Sequence, residues 1–196
     1  MRSPIYWHRS IYRNTSGRVH PGFENRYNLV AGLIEPGSSV LDLCCGDAHL
    51  FTHYLEKMGC GYVGMDLSLN MAPHKIRDRL IRGDALAEEL PVSDYVVIME
   101  SLYHFNARAE ELLVRMRAAA RREVIILEQV KNKITMLPRW LNRFLSDPGD
   151  GSGMFRFDRR HLEEIIHRVE PEARIQPAIS DYDLLVLMPG RADRDG

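Results

Sequence analysis

Short apolar runs separated by amphipathic stretches set the rhythm of the chain from residue 39 onward. Residues 40–43 form the first run. Leu50, Phe51, Tyr54, Leu55 and Met58 then recur at helical spacing, and Gly59 suits a helix stop. A second strand is expected over 62–65, ending at Asp66, and a short third over 80–81, ahead of Gly83 and Asp84. The fourth, 95–99, has almost no polar residue, as a strand covered on both faces should. Asn106 is placed to cap a helix over 107–120, with Leu112, Leu113 and Met116 on its apolar face. Residues 124–127 read as a fifth buried strand. Asp158 is placed to cap a last helix through Leu162, Ile165, Ile166 and Val169, which stops before Pro171.

Alternation of this kind predicts an α/β fold, with a doubly wound parallel sheet and helices on both faces. The end breaks the rhythm. Residues 173–179 and 184–188 read as strands joined by S-D-Y-D, too short for a crossover helix, so they pair antiparallel. One domain is expected over 1–190, with a frayed charged tail at 191–196.

Composition narrows the class. The 196 residues are 45% hydrophobic and 27% charged, ordinary for a globular domain. A net charge of -1 weighs against gripping nucleic acid by charge alone. Three cysteines, two of them adjacent, make a poor disulfide framework, and no Cys/His spacing suggests a metal. Reduced thiols and a cytoplasmic setting are the simplest reading. The first residues lack the apolar core of a signal peptide, and runs such as 96–99 and 184–188 are too short to span a bilayer.

The chemistry concentrates where the predicted strands end. V-L-D-L-C-C-G-D-A runs from a strand into a turn holding Asp42, Cys44 and Gly46. In open parallel sheets ligands bind outside the strand carboxyl ends, where Asp66, Asp84 and Glu100 also fall. Asp66 lies 20 positions beyond Gly46, the separation at which a carboxylate accepts the hydroxyls of a ribose.

These residues resemble the motifs of the class I S-adenosylmethionine-dependent methyltransferases, a Rossmann-like fold with a seven-stranded sheet. D-L-C-C-G-D-A stands where that family shows an acidic residue and G-x-G-x-G. G-Y-V-G-M-D-L-S resembles its second motif, R-G-D-A-L its third, and S-D-Y-V-V-I-M-E-S-L-Y-H-F its fourth strand and loop. The resemblance implies S-adenosyl-L-methionine as cofactor, held by Asp42, Cys44, Gly46, Asp66, Leu67, Asp84, Ala85 and Glu100. Asp66 would take the ribose and Asp84 would lie near the adenine amino group. Only Gly46 of the three family glycines is retained; Cys44 and Ala48 add Cβ atoms that narrow the approach to a ligand. Cys44 also reads as a small buried hydrophobe, and no adjacent base suggests a catalytic thiol. A dinucleotide fold would need three glycines and a site for a pyrophosphate, where this chain has Asp47. A cationic sulfonium suits such acidic surroundings better.

On the acceptor side, His104 is a candidate base and Tyr103 a candidate orienting group, although His104 reads first as a loop histidine packed beside Phe105. Two segments could choose the acceptor: the aromatic-rich N-terminal cap within 1–38, and the insertion 131–157. The insertion places Trp140, Leu141, Phe144 and Leu145 before S-D-P-G-D-G-S-G, which reads as a hinge rather than a calcium loop. The expected acceptor is a small or lipid-like molecule, with the protein a monomer or homodimer. The alternatives are an RNA or protein acceptor, or a non-catalytic partner subunit. The fourth-strand loop lacks the N-P-P-Y pattern of base-modifying relatives, and the basic runs K-I-R-D-R-L-I-R and R-A-A-A-R-R read as solvated faces.

Overall fold

In the computed structural model, residues 22–131 and 156–191 are described. Most of the N-terminal cap, the apolar face with the hinge at 132–155, and the tail at 192–196 lie outside them. The described elements are α1 (Phe23–Ala31), β1 (Ser39–Leu43), β2 (Gly61–Asp66), β3 (Leu80–Arg82), β4 (Ser93–Met99), α2 (Ala109–Ala119), β5 (Ala120–Gln129), α3 (Arg159–Val169), β6 (Arg174–Pro177) and β7 (Asp183–Pro189).

The seven strands form one sheet in the order β3-β2-β1-β4-β5-β7-β6. Strands β1 to β5 pair in parallel, while β7 runs antiparallel to both β5 and β6, as the short S-D-Y-D link requires. Strand order reverses between β1 and β4, which opens a crevice at their carboxyl ends.

Apolar residues at successive positions serve opposite faces. Leu41, Leu43, Val96, Ile98, Val124 and Ile126 pack under α2 and α3, against Leu112, Met116, Leu162 and Ile166. Their neighbours Val40, Val97, Ile125 and Leu127 face the other way, against Val30, Phe51 and Leu55. This double covering explains the near absence of polar residues in the central strands.

Local signals fared unevenly. Gly59 does end the helical segment after β1, at φ 68°, and the turn Phe51–Leu55 is wound as π-helix. Asn106 does not cap a helix. The segment Leu102–Arg108 is a 3-10 turn broken at Asn106, whose φ of 45° and ψ of −116° are non-helical, so regular helix begins at Ala109. Asp158 stands at the N-cap of α3, but its side chain meets Lys131 Nζ at 3.0 Å instead of capping. The edge strand β6 is only four residues long and ends in Pro177, which removes a backbone donor from that end.

Gly64 is a glycine that packing beside the first motif requires. A Cβ there would meet Cys45 Sγ and Leu80 Cδ2 at 2.8 Å and the Tyr62 hydroxyl at 2.9 Å. Gly64→Ala is expected to destabilise the fold by about 2 kcal/mol through overpacking beside the first motif. Urea denaturation measures it; an unchanged midpoint would mean that the cluster yields without cost.

Candidate active site

The loop after β1 is left-handed at alternate residues. Cys44, Gly46 and Ala48 have φ of 57°, 55° and 53°. The backbone therefore asks for a glycine-like conformation at all three motif positions, though the sequence supplies glycine at one. Cys44 and Ala48 each carry roughly 1–2 kcal/mol of backbone strain, which the surrounding sheet sustains. Gly46 itself has open space: the nearest atom to a Cβ there would be Met71 Cε, at 3.8 Å. Met71 is thus a wall of this loop that sequence reading missed.

The ends of β1, β2 and β3 are laced together. Asp66 Oδ2 accepts the Gly46 N–H at 3.0 Å and Oδ1 accepts the Ser68 N–H at 2.9 Å. Gly83 N–H donates to the Asp66 carbonyl, and Asp84 Oδ1 accepts the Leu86 N–H at 2.9 Å. Leu67 is 61% exposed beside Asp66, an apolar side chain without a cover, whereas Ala85 is buried. Asp42 lies beneath the loop and accepts a hydrogen bond from the Tyr62 hydroxyl at 2.8 Å. Burial lifts its carboxyl to about 7; the Tyr62 bond pulls the other way, and the charges of Asp66 and Asp47 add to the rise. Burial foremost, with the acids around them, also pushes both the Cys44 and Cys45 thiols well up. Neither thiol is a ready nucleophile.

Glu100 follows β4 at φ 49°, its N–H donating to the Leu127 carbonyl at 2.7 Å. Its carboxylate lies 2.7 Å from Arg26 Nη1, a residue of α1 that sequence reading did not single out. Next comes the loop with Tyr103, buried, and His104, half-buried, their rings 4.1 Å apart. His104 thus packs on Tyr103.

This loop hangs on Glu128, also missed. Glu128, next to last in β5, is 0% exposed; its Oε2 accepts the Leu102 N–H at 2.7 Å and its Oε1 the Gln129 N–H at 3.0 Å. Burial lifts its carboxyl to about 7, against the pull of Arg156 4.0 Å away, with Glu100 adding to the rise. Arg156 in turn lies over the Tyr103 ring, 5.0 Å from its centroid. The visible signal was a glutamate closing the apolar run V-I-I-L-E at a strand end.

The crevice is therefore acidic, narrow in backbone and without a phosphate cradle, and it suits a cation-bearing adenosyl ligand better than a dinucleotide. The methyltransferase-domain family matches residues 18–170, most of the chain. The chain belongs to the S-adenosylmethionine-dependent methyltransferases. S-adenosylmethionine is the cofactor of this family.

A search of curated proteins found no match. Among solved structures, the chain is similar to magnesium protoporphyrin IX methyltransferase from Synechocystis, at 18% identity and a TM-score of 0.66. The likeness covers 91% of this chain and 92% of that one. It is similar to a TehB-like methyltransferase from Corynebacterium glutamicum, at 16% identity and a TM-score of 0.62, over 92% and 94% of the two chains. An O-methyltransferase family protein from Burkholderia thailandensis matches at 14% identity and a TM-score of 0.66, over 93% of this chain. The methyltransferase spans 59% of that protein's length, and 60% of the first of the matched structures. At such identities the likeness shows the fold.

Among the described residues, no helix of the methyltransferase is long and apolar enough to cross a membrane. The cofactor-side candidates Asp42, Cys44, Gly46, Asp66, Leu67, Asp84, Ala85 and Glu100 all lie on β1 to β4 or directly after them. Tyr103 and His104 stand one turn further on, after β4.

Proposed function

We propose that this methyltransferase methylates a small-molecule or lipid-like acceptor by in-line transfer. The observation that carries the reading is the Tyr103–His104 ring pair, presented directly after β4 beside the strand-order reversal. When bound, S-adenosylmethionine supplies a methyl group already activated by its sulfonium, so the protein's task is chiefly alignment. The Asp66 carboxylate would accept the ribose hydroxyls, Leu67 would cover the adenine, and Asp84 would lie near its amino group. Cys44, Gly46 and Ala48 bring the loop backbone close, and Ala85 leaves room beside it. His104 takes the acceptor's proton, and Tyr103, steadied by Arg156, orients the acceptor. The Synechocystis enzyme, named for magnesium protoporphyrin IX, shows that the fold serves a small-molecule acceptor elsewhere.

Thermal unfolding with S-adenosylmethionine, S-adenosylhomocysteine and NAD tests the cofactor site. Stabilisation by the two adenosyl ligands alone is expected, about 2.7 kcal/mol at a hundred times the dissociation constant. No shift with either would favour a non-catalytic partner subunit. Tight, salt-sensitive binding to tRNA would put RNA in the acceptor's place. His104→Ala is expected to lower turnover about tenfold or more with its true acceptor. An unchanged rate would remove His104 as the base.

A further inference from the structure

Two arginines show how this chain closes a sheltered guanidinium. Arg26 lies 2.7 Å from Glu100 and 2.9 Å from Asp183, and Arg117 lies 2.8 Å from the buried Glu170. Arg156 differs. Its side chain is only 12% exposed, yet its carboxylate neighbour among the described residues is Glu128, 4.0 Å away. Both Glu128 oxygens already accept the Leu102 and Gln129 N–H groups. Burial raises the Glu128 carboxyl to about 7, so near neutral pH it is only partly charged. Arg156 Nη1 donates to the Gln129 carbonyl at 3.2 Å, and the guanidinium lies over the Tyr103 ring, 5.0 Å from its centroid. Among the described residues, Nε and Nη2 meet no acceptor, and neither is sealed from water.

The used and unused donors divide the guanidinium in a specific way. Nε–H and the Nη2–H beside it lie along one edge, in the parallel arrangement that binds both oxygens of a carboxylate. Nη1, outside that edge, is the donor fixed to the strand. Contact with a ring face leaves in-plane donors available. The place is also that of a ligand. Gln129 is the last residue of β5, Tyr103 follows β4, and those strands are parallel neighbours. Arg156 and Tyr103 therefore stand together at the carboxyl end of the sheet, where ligands of such folds bind. Tyr103 in turn meets His104, their rings 4.1 Å apart.

We propose that Arg156 receives a carboxylate of the methyl acceptor through Nε and Nη2, so that the substrate is an acid whose nucleophilic group lies at Tyr103 and His104. The assignment rests on the acceptor site proposed above and names the class of molecule that enters it. The surroundings choose a carboxylate over a phosphate ester. A single guanidinium balances a single negative charge, and Glu128, itself acted on by Glu100, repels a second. The carboxylate is a handle and not the reacting group. Bonded at both oxygens it is a weak nucleophile, and it carries no proton for His104 to take. The guanidinium and the histidine both contact the Tyr103 ring, so acid and nucleophile belong to one compact molecule, the size of a hydroxybenzoate.

The experiment titrates the full chain, saturated with S-adenosylhomocysteine, with benzoate, its neutral counterpart benzamide, and phenyl phosphate, followed by NMR. Wild type is expected to bind benzoate about tenfold more tightly than benzamide. Arg156→Gln should bring the two within about twofold of each other. Arg156→Lys should restore part of the preference, since it keeps the charge without the fork. The ratio within one protein cancels any loosening of Tyr103, so a merely structural arginine would leave it unmoved. S-adenosylhomocysteine binding is the folding control for each variant. If the glutamine variant loses that ligand too, the lysine variant decides, by a preference below that of wild type. Equal affinities in wild type, no binding of either probe, or a preference that survives Arg156→Gln would overturn the proposal. Tighter binding of phenyl phosphate than of benzoate would overturn the choice of carboxylate. The acceptor reading fails differently: wild type would bind no S-adenosylhomocysteine, or would take tRNA in the acceptor's place, and the proposal would fall with it.

Discussion

Replacing Asp66 with alanine is expected to weaken S-adenosylhomocysteine binding by about a hundredfold or more. Two losses add. A carboxylate that accepts two ribose hydroxyls contributes charge-assisted bonds of about 1.5–3 kcal/mol each. The same carboxylate holds the Gly46 and Ser68 N–H groups, so its removal also loosens the strained loop and the turn after β2. Asp66→Asn keeps the shape and one acceptor oxygen, and an intermediate loss is expected. Calorimetry with S-adenosylhomocysteine measures both. A loss below about threefold for the alanine variant would show that the ribose is held elsewhere.

Glu128→Ala is expected to be the most damaging change to stability outside the apolar core, at about 3–4 kcal/mol near pH 5. It strands the Leu102 and Gln129 N–H groups in a dry site, each unpaired donor costing about 1–3 kcal/mol. Arg156, 4.0 Å away, keeps its bond to the Gln129 carbonyl. For a domain of this size that lowers the melting temperature by roughly 10 °C. The effect depends on pH with a definite sign. The folded carboxyl titrates at about 7, above its ordinary value, so between the two the folded state binds the extra proton. Wild-type stability therefore falls as pH rises through that window, and the variant loses this part of the fall. The gap between the two proteins should be widest near pH 5 and narrow by pH 8. Asp42, also raised to about 7, leaves its own slope in both. Denaturant titrations at the two pH values measure the gap, and one that widens with pH would show that Glu128 is stabilised as the anion.

Because Glu128 anchors Leu102 and faces Arg156, which lies over Tyr103, the same variant bears on the acceptor side. The ring pair of Tyr103 and His104 begins one residue after Leu102, and its placement is inherited from the buried carboxylate.

Much of this architecture was legible in local pattern. Apolar runs and their spacing identified the parallel strands, the closing hairpin and the helix α3, because burial on two faces leaves a periodic trace in the residues themselves. The order of acids at strand ends, with Asp66 20 positions beyond Gly46, identified the family and its cofactor. Turn and cap chemistry was less reliable. Asn106 and Asp158 had the residue types of helix caps, but tertiary partners and a 3-10 turn put those side chains to other uses.

What the sequence determined by itself is the alternation of elements, and hence the sheet and the place of the crevice. What only the tertiary structure decided is the state of the groups in that crevice. Cys44 and Ala48 do not announce a left-handed backbone, because that conformation is imposed by the loop's ties to β2. Arg26 reads as an ordinary helix charge until it meets Asp183, 157 residues away, and Glu100. Periodicity records how much of each residue is buried, and it is silent on which charge is buried beside which. That pairing is set by the long-range crossings of the sheet, and there the chemistry of this methyltransferase is arranged.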